Sequence, residues 1–213
     1  MLLLPLRVQT RLNPLLRQRW VGRSLTLLCA APLIWLFAAA LLQQLGPNPA
    51  EALIRGLGNW ALRFLWLTLC ISPLRRACGL TALAPWRRHL GLWAFAYASL
   101  HLLAYAWLDM GWALADITRD IAKRPFIWMG LACWVGLLIL AATSTKAAKR
   151  ALGGLRWQQL HRAVYAIAIA VLLHYIWVRS GKRLYSEPQL WGALLALLLV
   201  ERLWRRFSAS PPR

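Results

Sequence analysis

Six apolar runs, separated by short basic or Pro/Gly-bearing stretches, constrain this chain more than any other feature. They lie around residues 25–45, 60–72, 90–108, 126–143, 163–178 and 189–204. Most approach the ~17–25 residues of a bilayer-spanning helix, the element that satisfies every backbone N–H and C=O within itself across hydrocarbon. The sequence therefore predicts an all-α integral membrane protein with about six transmembrane helices. The second and sixth runs are the weakest, because their apolar cores are short. The chain is 60% hydrophobic, against roughly 45–50% in a soluble domain.

A net charge of +20 raises the possibility of a nucleic-acid partner, and the distribution of that charge argues against it. With the N-terminus inside, the inner segments hold Arg7, Arg11, Arg17, Arg19, Arg23, Arg75, Arg76, Arg87, Arg88 and the basic residues of 146–162 and 202–213. That is 18 basic residues against a single acid, Glu201. The outer segments hold 8 basic residues against five acids, Glu51, Asp109, Asp116, Asp120 and Glu187. Such alternation is the positive-inside bias, and it predicts that both termini are cytoplasmic. A DNA-binding patch has no reason to alternate along the chain. Tryptophan fits the same frame, with Trp20, Trp60, Trp86, Trp107, Trp112, Trp128, Trp157, Trp177, Trp191 and Trp204 at or near helix ends, where indole suits the headgroup level.

The first run exceeds the ~7–15-residue core of a secretory signal and follows a long basic segment, so it reads as a membrane anchor. Cys29, Cys70, Cys78 and Cys133 form neither a CxxC pair nor a CxxCH, which leaves zinc binding, covalent haem attachment and a disulfide framework unsupported. The longest pieces between runs are the basic N-terminal tail of about 1–23, the inner loops 73–89 and 144–158, and the outer loop 109–125. None can bury a core or carries a Gly-rich phosphate loop, and "LGGLR" at 152–156 reads as a flexible loop. Residues 1–213 are expected to form one membrane domain whose chemistry sits among the helices.

Polar groups inside a bilayer are expensive and mark ligands, relays or pathways. His101 lies in the third helix and His174 in the fifth, 12 residues beyond His89 and 13 beyond His161, respectively. At about 1.5 Å per residue, both sit roughly 18–20 Å above the inner boundary. Matched depth on two helices of the same direction suits two axial ligands of one b-type haem. The alternative for each is a histidine hydrogen-bonded to a neighbouring helix. His161 lies near the cytoplasmic face, where a second haem is possible, but 13 residues leave it roughly 140° from His174 around an ideal helix. A tilted or locally overwound helix would narrow that gap. His89, in "WRRHLG", reads as a solvated interface histidine. Arg63 reads as snorkelling outward past Trp60 or as pairing a haem propionate, and Arg87 and Arg88 have the same two readings on the inner side. Trp93, Phe95, Tyr97, Tyr105, Tyr165 and Tyr175 are the aromatics placed to line cofactor pockets, or else to pack helix interfaces.

The segments "ISPLRR" (71–76), "RRHLGLWAFAYASLHLLAY" (87–105) and "WQQLHRAVYAIAIAVLLHYIW" (157–177) closely resemble the ferric-reductase-like transmembrane family. Within it, they resemble the haem-binding membrane subunits of bacterial periplasmic protein-methionine-sulfoxide reductase systems. The likeness extends through "NPAEALIRGLGNWALRFLWLTL" (48–69) and "KRPFIWMGLACWVGLLILAATS" (123–144). The resemblance implies a multi-pass protein of the bacterial inner membrane with His101 and His174 as haem b ligands and His161 contributing to haem binding, for one or two haems. It implies entry of electrons from a cytoplasmic flavin reductase or the quinol pool and exit to a periplasmic molybdopterin-containing reductase subunit. It also implies flavin mononucleotide as a possible cofactor, to which no residue is assigned. Two-haem members of the family carry two histidines on each of two helices; here Arg87 stands 14 residues before His101.

Two other classes make different demands. A ferric (metal-ion) reductase of the same fold requires a flavin/nicotinamide domain, which these 213 residues do not contain. A haem-free transporter or channel calls for intramembrane acids or paired broken helices, whereas the runs carry no acid before Glu201 and Pro32 reads as the one clear helix-interior proline.

Overall fold

Proline, glycine and capping side chains set the ends of the helices into which the apolar runs fold. The computed structural model describes residues 4–180 and 186–208, and every regular element among them is helical. Lys182, Arg183 and Arg213, which enter the charge count above, lie outside the described residues. The chain divides between Asp120 and Ile121 into two compact units.

The first unit is built around α3 (Pro49–Cys78). Asn48 caps it by accepting the Glu51 N–H at 3.1 Å, Pro49 occupies a first-turn position where no donor is needed, and Gly79 ends it at φ +70°. Leu57, Leu62, Leu65, Trp66 and Leu69 of α3 are all buried. It packs between α2 (Arg19–Leu41) and α4 (Ala84–Ala104). Tyr97 of α4 is wholly buried against Phe64, ring centroids 5.2 Å apart, and its hydroxyl donates to the Cys29 carbonyl of α2 at 2.9 Å. One side chain thus ties three helices. The expected N-terminal tail is itself helical: α1 (Leu6–Leu16) ends a turn before α2. Its Asn13 carboxamide oxygen accepts the Ala82 N–H at 2.9 Å, docking α1 on the turn between α3 and α4.

The second unit pairs α6 (Pro125–Ala142) with α9 (Val164–Ser180). Cys133, Leu137 and Leu140 of α6 and Val164, Ile167 and Ala168 of α9 are buried. Gly136 brings the helices close enough that a Cβ there would meet Ile167 at 2.8 Å. Between them run α7 (Lys146–Leu152) and α8 (Gly154–Arg162), and α10 (Ser186–Ser208) packs on α9. Tyr165 of α9 receives a hydrogen bond and a cation–π contact from Arg202 of α10.

Several sequence expectations shift at helix ends. The inner loop expected over 73–89 contracts to residues 79–83, because α3 continues through Pro73 to Cys78 and Thr81–Leu83 make one tight turn. Pro14 and Pro73 join Pro32 as helix-interior prolines. The "LGGLR" segment is a helix junction turning on Gly153 at φ +73°, since α7 and α8 abut it on either side. The loop expected over 109–125 contains α5 (Leu114–Lys123).

Among the described residues, four helical stretches are long and apolar enough to cross a membrane: Arg19–Leu41, Thr81–Asp109, Pro125–Ala142 and Gly154–Arg179. They cover the first, third, fourth and fifth runs. The helices over the second and sixth, α3 and α10, carry charge within their lengths: Glu51, Arg55, Arg63, Arg75 and Arg76 in one, Glu187, Glu201, Arg202, Arg205 and Arg206 in the other. The chain is an all-α integral membrane protein. Leu27, Leu28, Ile34, Trp35 and Phe37 of α2 are exposed, an apolar face suited to lipid.

A histidine cradle built twice

His101 stands in the last turn of α4, and its ring lies against α3. Nδ1 is 2.8 Å from the backbone carbonyl oxygen of Ile54. A carbonyl only accepts, so Nδ1 carries the proton, and in the neutral ring the lone pair is on Nε2. Ring and carbonyl meet because the residue one turn on, Gly58, has no side chain: a Cβ there would stand 3.1 Å from Nδ1.

The second unit repeats this arrangement. His174 of α9 directs Nδ1 to the Phe126 carbonyl of α6, again at 2.8 Å. Gly130, again four residues on, lies under the ring, and a Cβ there would meet Cε1 at 2.8 Å. The Phe126 ring flanks the imidazole at a centroid distance of 6.3 Å. In each unit a histidine on one helix is locked by a backbone carbonyl and a glycine of the helix beside it. Metal-ligating histidines characteristically give their other ring N–H to a carbonyl or carboxylate, which fixes the tautomer and raises the basicity of the coordinating nitrogen. The donor set fits haem iron. Among the described residues no cluster of three or more His, Cys, Asp or Glu suits a bare metal ion, and all four cysteines are free thiols.

His161 is held differently. The Thr143 hydroxyl gives its own proton to the Ile139 carbonyl at 2.7 Å and lies 3.1 Å from His161 Nε2. With that proton committed, the hydroxyl accepts from Nε2, so here Nε2 carries the hydrogen. Trp157 stacks on the imidazole at 4.0 Å, donates its indole N–H to the Thr143 carbonyl at 2.8 Å, and has the Lys149 ammonium 5.2 Å from its ring. The chain between His161 and His174 is overwound at one point: α8 ends at Arg162, and the Ala163 N–H bonds to the Leu160 carbonyl three residues back. Each residue wound at 3.0 rather than 3.6 per turn adds about 20°. Both imidazoles engage α6 or its cap, His174 near the first turn and His161 at Thr143.

The remaining expected residues fall into structural settings. His89 Nε2 accepts the Trp93 indole N–H at 3.2 Å, with the Thr26 hydroxyl 3.3 Å away, so this half-buried ring links α4 to α2. Arg63 lays its guanidinium over Trp60 at 4.6 Å. Tyr105, at the start of a π-helical turn (Tyr105–Asp109) directly after α4, donates to Asp120 at 2.8 Å. Tyr175 donates to Glu187 at 2.9 Å, and Arg179 pairs with the same carboxylate at 2.7 Å. Sequence reasoning did not single out Ile54, Gly58, Phe126 and Gly130. Their available signal is a glycine four residues after an apolar residue in the long helix that packs against each histidine helix, α3 for His101 and α6 for His174.

Comparison with known proteins places this architecture. The family model described as the ferric reductase like transmembrane component matches residues 57–172, a span that includes Gly58, His101, Gly130 and His161. The chain is 48% identical to a protein of Polaromonas naphthalenivorans over 92% of both chains. It is 52% identical to one of Azospira oryzae over 79% of this chain and 72% of the other. A third, from Bordetella pertussis, is 46% identical over 92% of this chain and 97% of its own. All three bear the name protein-methionine-sulfoxide reductase heme-binding subunit MsrQ. An all-helical membrane chain matched over this length and at these identities belongs to the ferric reductase like transmembrane family and, within it, to the MsrQ group.

Proposed function

We propose that this protein is a haem b-binding membrane subunit that delivers electrons to a methionine-sulfoxide reductase, with His101 and His174 as axial ligands to haem iron. The observation that carries the reading is the imidazole lock built twice: Nδ1–H on a backbone carbonyl at 2.8 Å in each unit, which directs coordination to Nε2. The name borne by the relatives, a heme-binding subunit, supports haem as the group held.

When bound, haem b supplies a one-electron couple that needs no proton or hydride to be carried across the bilayer. The work of the protein is to hold and tune. His101 and His174 keep Nε2 presented to the metal, and the Ile54 and Phe126 carbonyls hold their rings against rotation. Leu57 of α3 and Ala104 of α4, close in sequence to Gly58 and His101, are buried apolar residues.

Reduction of a sulfoxide to a thioether takes up two electrons and two protons and releases water. The partner therefore draws two single-electron deliveries per methionine repaired. A cytoplasmic flavin reductase or quinol supplies them, and a periplasmic molybdopterin-containing subunit receives them. In this reading the chain lies in the bacterial inner membrane as six spans with both termini cytoplasmic. His161 is the inner-side residue of the pathway and contributes to a second haem; to take iron through Nε2 it gives up its bond to Thr143.

The test is the reduced-minus-oxidised absorption spectrum of the detergent-purified protein, with pyridine-haemochrome stoichiometry. Wild type should show a reducible b-type spectrum, and His101→Ala or His174→Ala should lose most of it. Wild-type haem content in both variants overturns the assignment.

A further inference from the structure

We propose that Gly58 and Gly130 are positioning residues for the two axial histidines, setting both the hold on haem and its reduction potential. The inference rests on the ligand reading above and deepens it.

In an α-helix the side chain of residue i+4 lies beside the carbonyl of residue i, the geometry in which serine and threonine bond back to their own helix. Whatever occupies that position screens the carbonyl from a neighbouring helix. Gly58 is four residues after Ile54 and Gly130 four after Phe126, and those are the carbonyls that hold His101 and His174. Neither glycine has a positive φ, so conformational freedom is not what glycine supplies here. What it supplies is room. A Cβ at 58 would stand 3.1 Å from His101 Nδ1, where the ring must give by a few tenths of an ångström. At 130 it would stand 2.8 Å from His174 Cε1, closer than real Cβ atoms come. An imidazole sits on only two side-chain torsions, so yielding means sliding off the carbonyl.

That displacement has a chemical consequence. The Nδ1–H···O=C bond pushes electron density toward Nε2, making it a stronger donor, and a stronger donor favours the oxidised iron. Alanine at either position should therefore weaken haem binding and move the potential of the haem that remains in the positive direction. The effect should be larger at 130 than at 58.

The same two helices provide matched controls. A Cβ at Gly56 would meet Leu36 at 2.6 Å, and one at Gly136 would meet Ile167 at 2.8 Å. Both crowd an aliphatic side chain as severely as the test substitutions crowd a histidine. If the glycines matter only for helix packing, all four variants behave alike.

The experiment compares full-length, haem-loaded protein carrying Gly58→Ala, Gly130→Ala, Gly56→Ala or Gly136→Ala. Haem retention, midpoint potential by spectroelectrochemistry and the low-spin ferric EPR spectrum are measured. For Gly58→Ala and Gly130→Ala, haem affinity should fall about 10–100-fold, the usual cost of losing an outer-shell partner. A tenfold bias of the one-electron equilibrium would appear as a positive shift of about 59 mV. Gly56→Ala and Gly136→Ala should keep the wild-type potential and EPR spectrum. A wild-type potential and spectrum in both test variants overturns the proposal, as do equal shifts in all four. Should neither test variant accumulate, hyperfine spectroscopy of 15N-histidine-labelled wild-type protein decides. A protonated Nδ1 on both axial rings supports the proposal, and an Nδ1 without its proton overturns it. Haem retained in His101→Ala and His174→Ala sinks the ligand reading. Haem lost there, with Gly58→Ala and Gly130→Ala unchanged, sinks only this inference.

Discussion

Replacing Thr143 by valine removes one hydroxyl and nothing else of consequence in volume, and its effect can be worked from three contacts. The hydroxyl accepts from His161 Nε2 at 3.1 Å and donates to the Ile139 carbonyl at 2.7 Å, while Trp157 bonds to the Thr143 carbonyl, which valine keeps. The Ile139 carbonyl still accepts within its own helix, so losing the second donor there costs little. The loss therefore concentrates on His161. Side-chain hydrogen bonds between membrane helices average about 0.6 kcal/mol and reach about 1.7 kcal/mol in double-mutant cycles. The half-buried ring has access to water as a substitute, which places the coupling near 1 kcal/mol. The assay is a cycle of Thr143→Val, His161→Ala and the double variant, unfolded by SDS in mixed micelles and followed by tryptophan fluorescence. A coupling within the ~0.3–0.5 kcal/mol error of additivity would refute the bond as the element that holds His161. The cycle also reads haem. If His161 takes iron only after releasing Thr143, Thr143→Val should match or exceed wild type in haem per protein, whereas His161→Ala should fall below it.

Other consequences are separately testable. Tyr97→Phe should destabilise the first unit by about 1 kcal/mol, the net worth of one hydrogen bond, with no change in haem content; a loss of haem would mean Tyr97 touches the cofactor. Asn13→Ala should release α1 from the turn at 79–83 and raise amide exchange at Ala82 about fivefold or more, since ~1 kcal/mol of local protection is removed; unchanged exchange would mean the helix docks by other contacts. Reporter fusions after Ser208 and beside Asp116 should report the cytoplasm and the periplasm, respectively. The same side for both would overturn the six-span reading.

The sequence makes the fold class legible because a bilayer leaves the backbone so few solutions. Among the described residues, the runs at 25–45, 90–108, 126–143 and 163–178 correspond to the four helices apolar enough to span, and the two runs with the shortest apolar cores are the two whose helices fall short. Helix ends were harder to read. Charged segments such as "SPLRRAC" look like loops by polarity, yet α3 continues through this one because arginine at a helix C-terminus complements the dipole and Gly79 supplies the stop. At the site, the histidines stood out as polar groups in apolar runs. Their holders did not, because a backbone carbonyl carries no side-chain signature and a glycine in a membrane helix usually signifies close packing. The different footing of His161 was also hidden, since its partner Thr143 caps α6, 18 residues upstream and separated from α8 by α7.

The two contacts made to α6 and its cap turn that helix into a gauge. Phe126 and Thr143 are 17 residues apart, about 25 Å of helix, and each grips one of the imidazoles that follow. Adding or deleting a single residue between them would swing one contact about 100° around the axis relative to the other. Point substitutions on the lipid face of α6 leave that calibration untouched. Among natural variants, α6 should therefore tolerate wide exchange of one apolar residue for another while keeping its length fixed between Gly130 and Thr143.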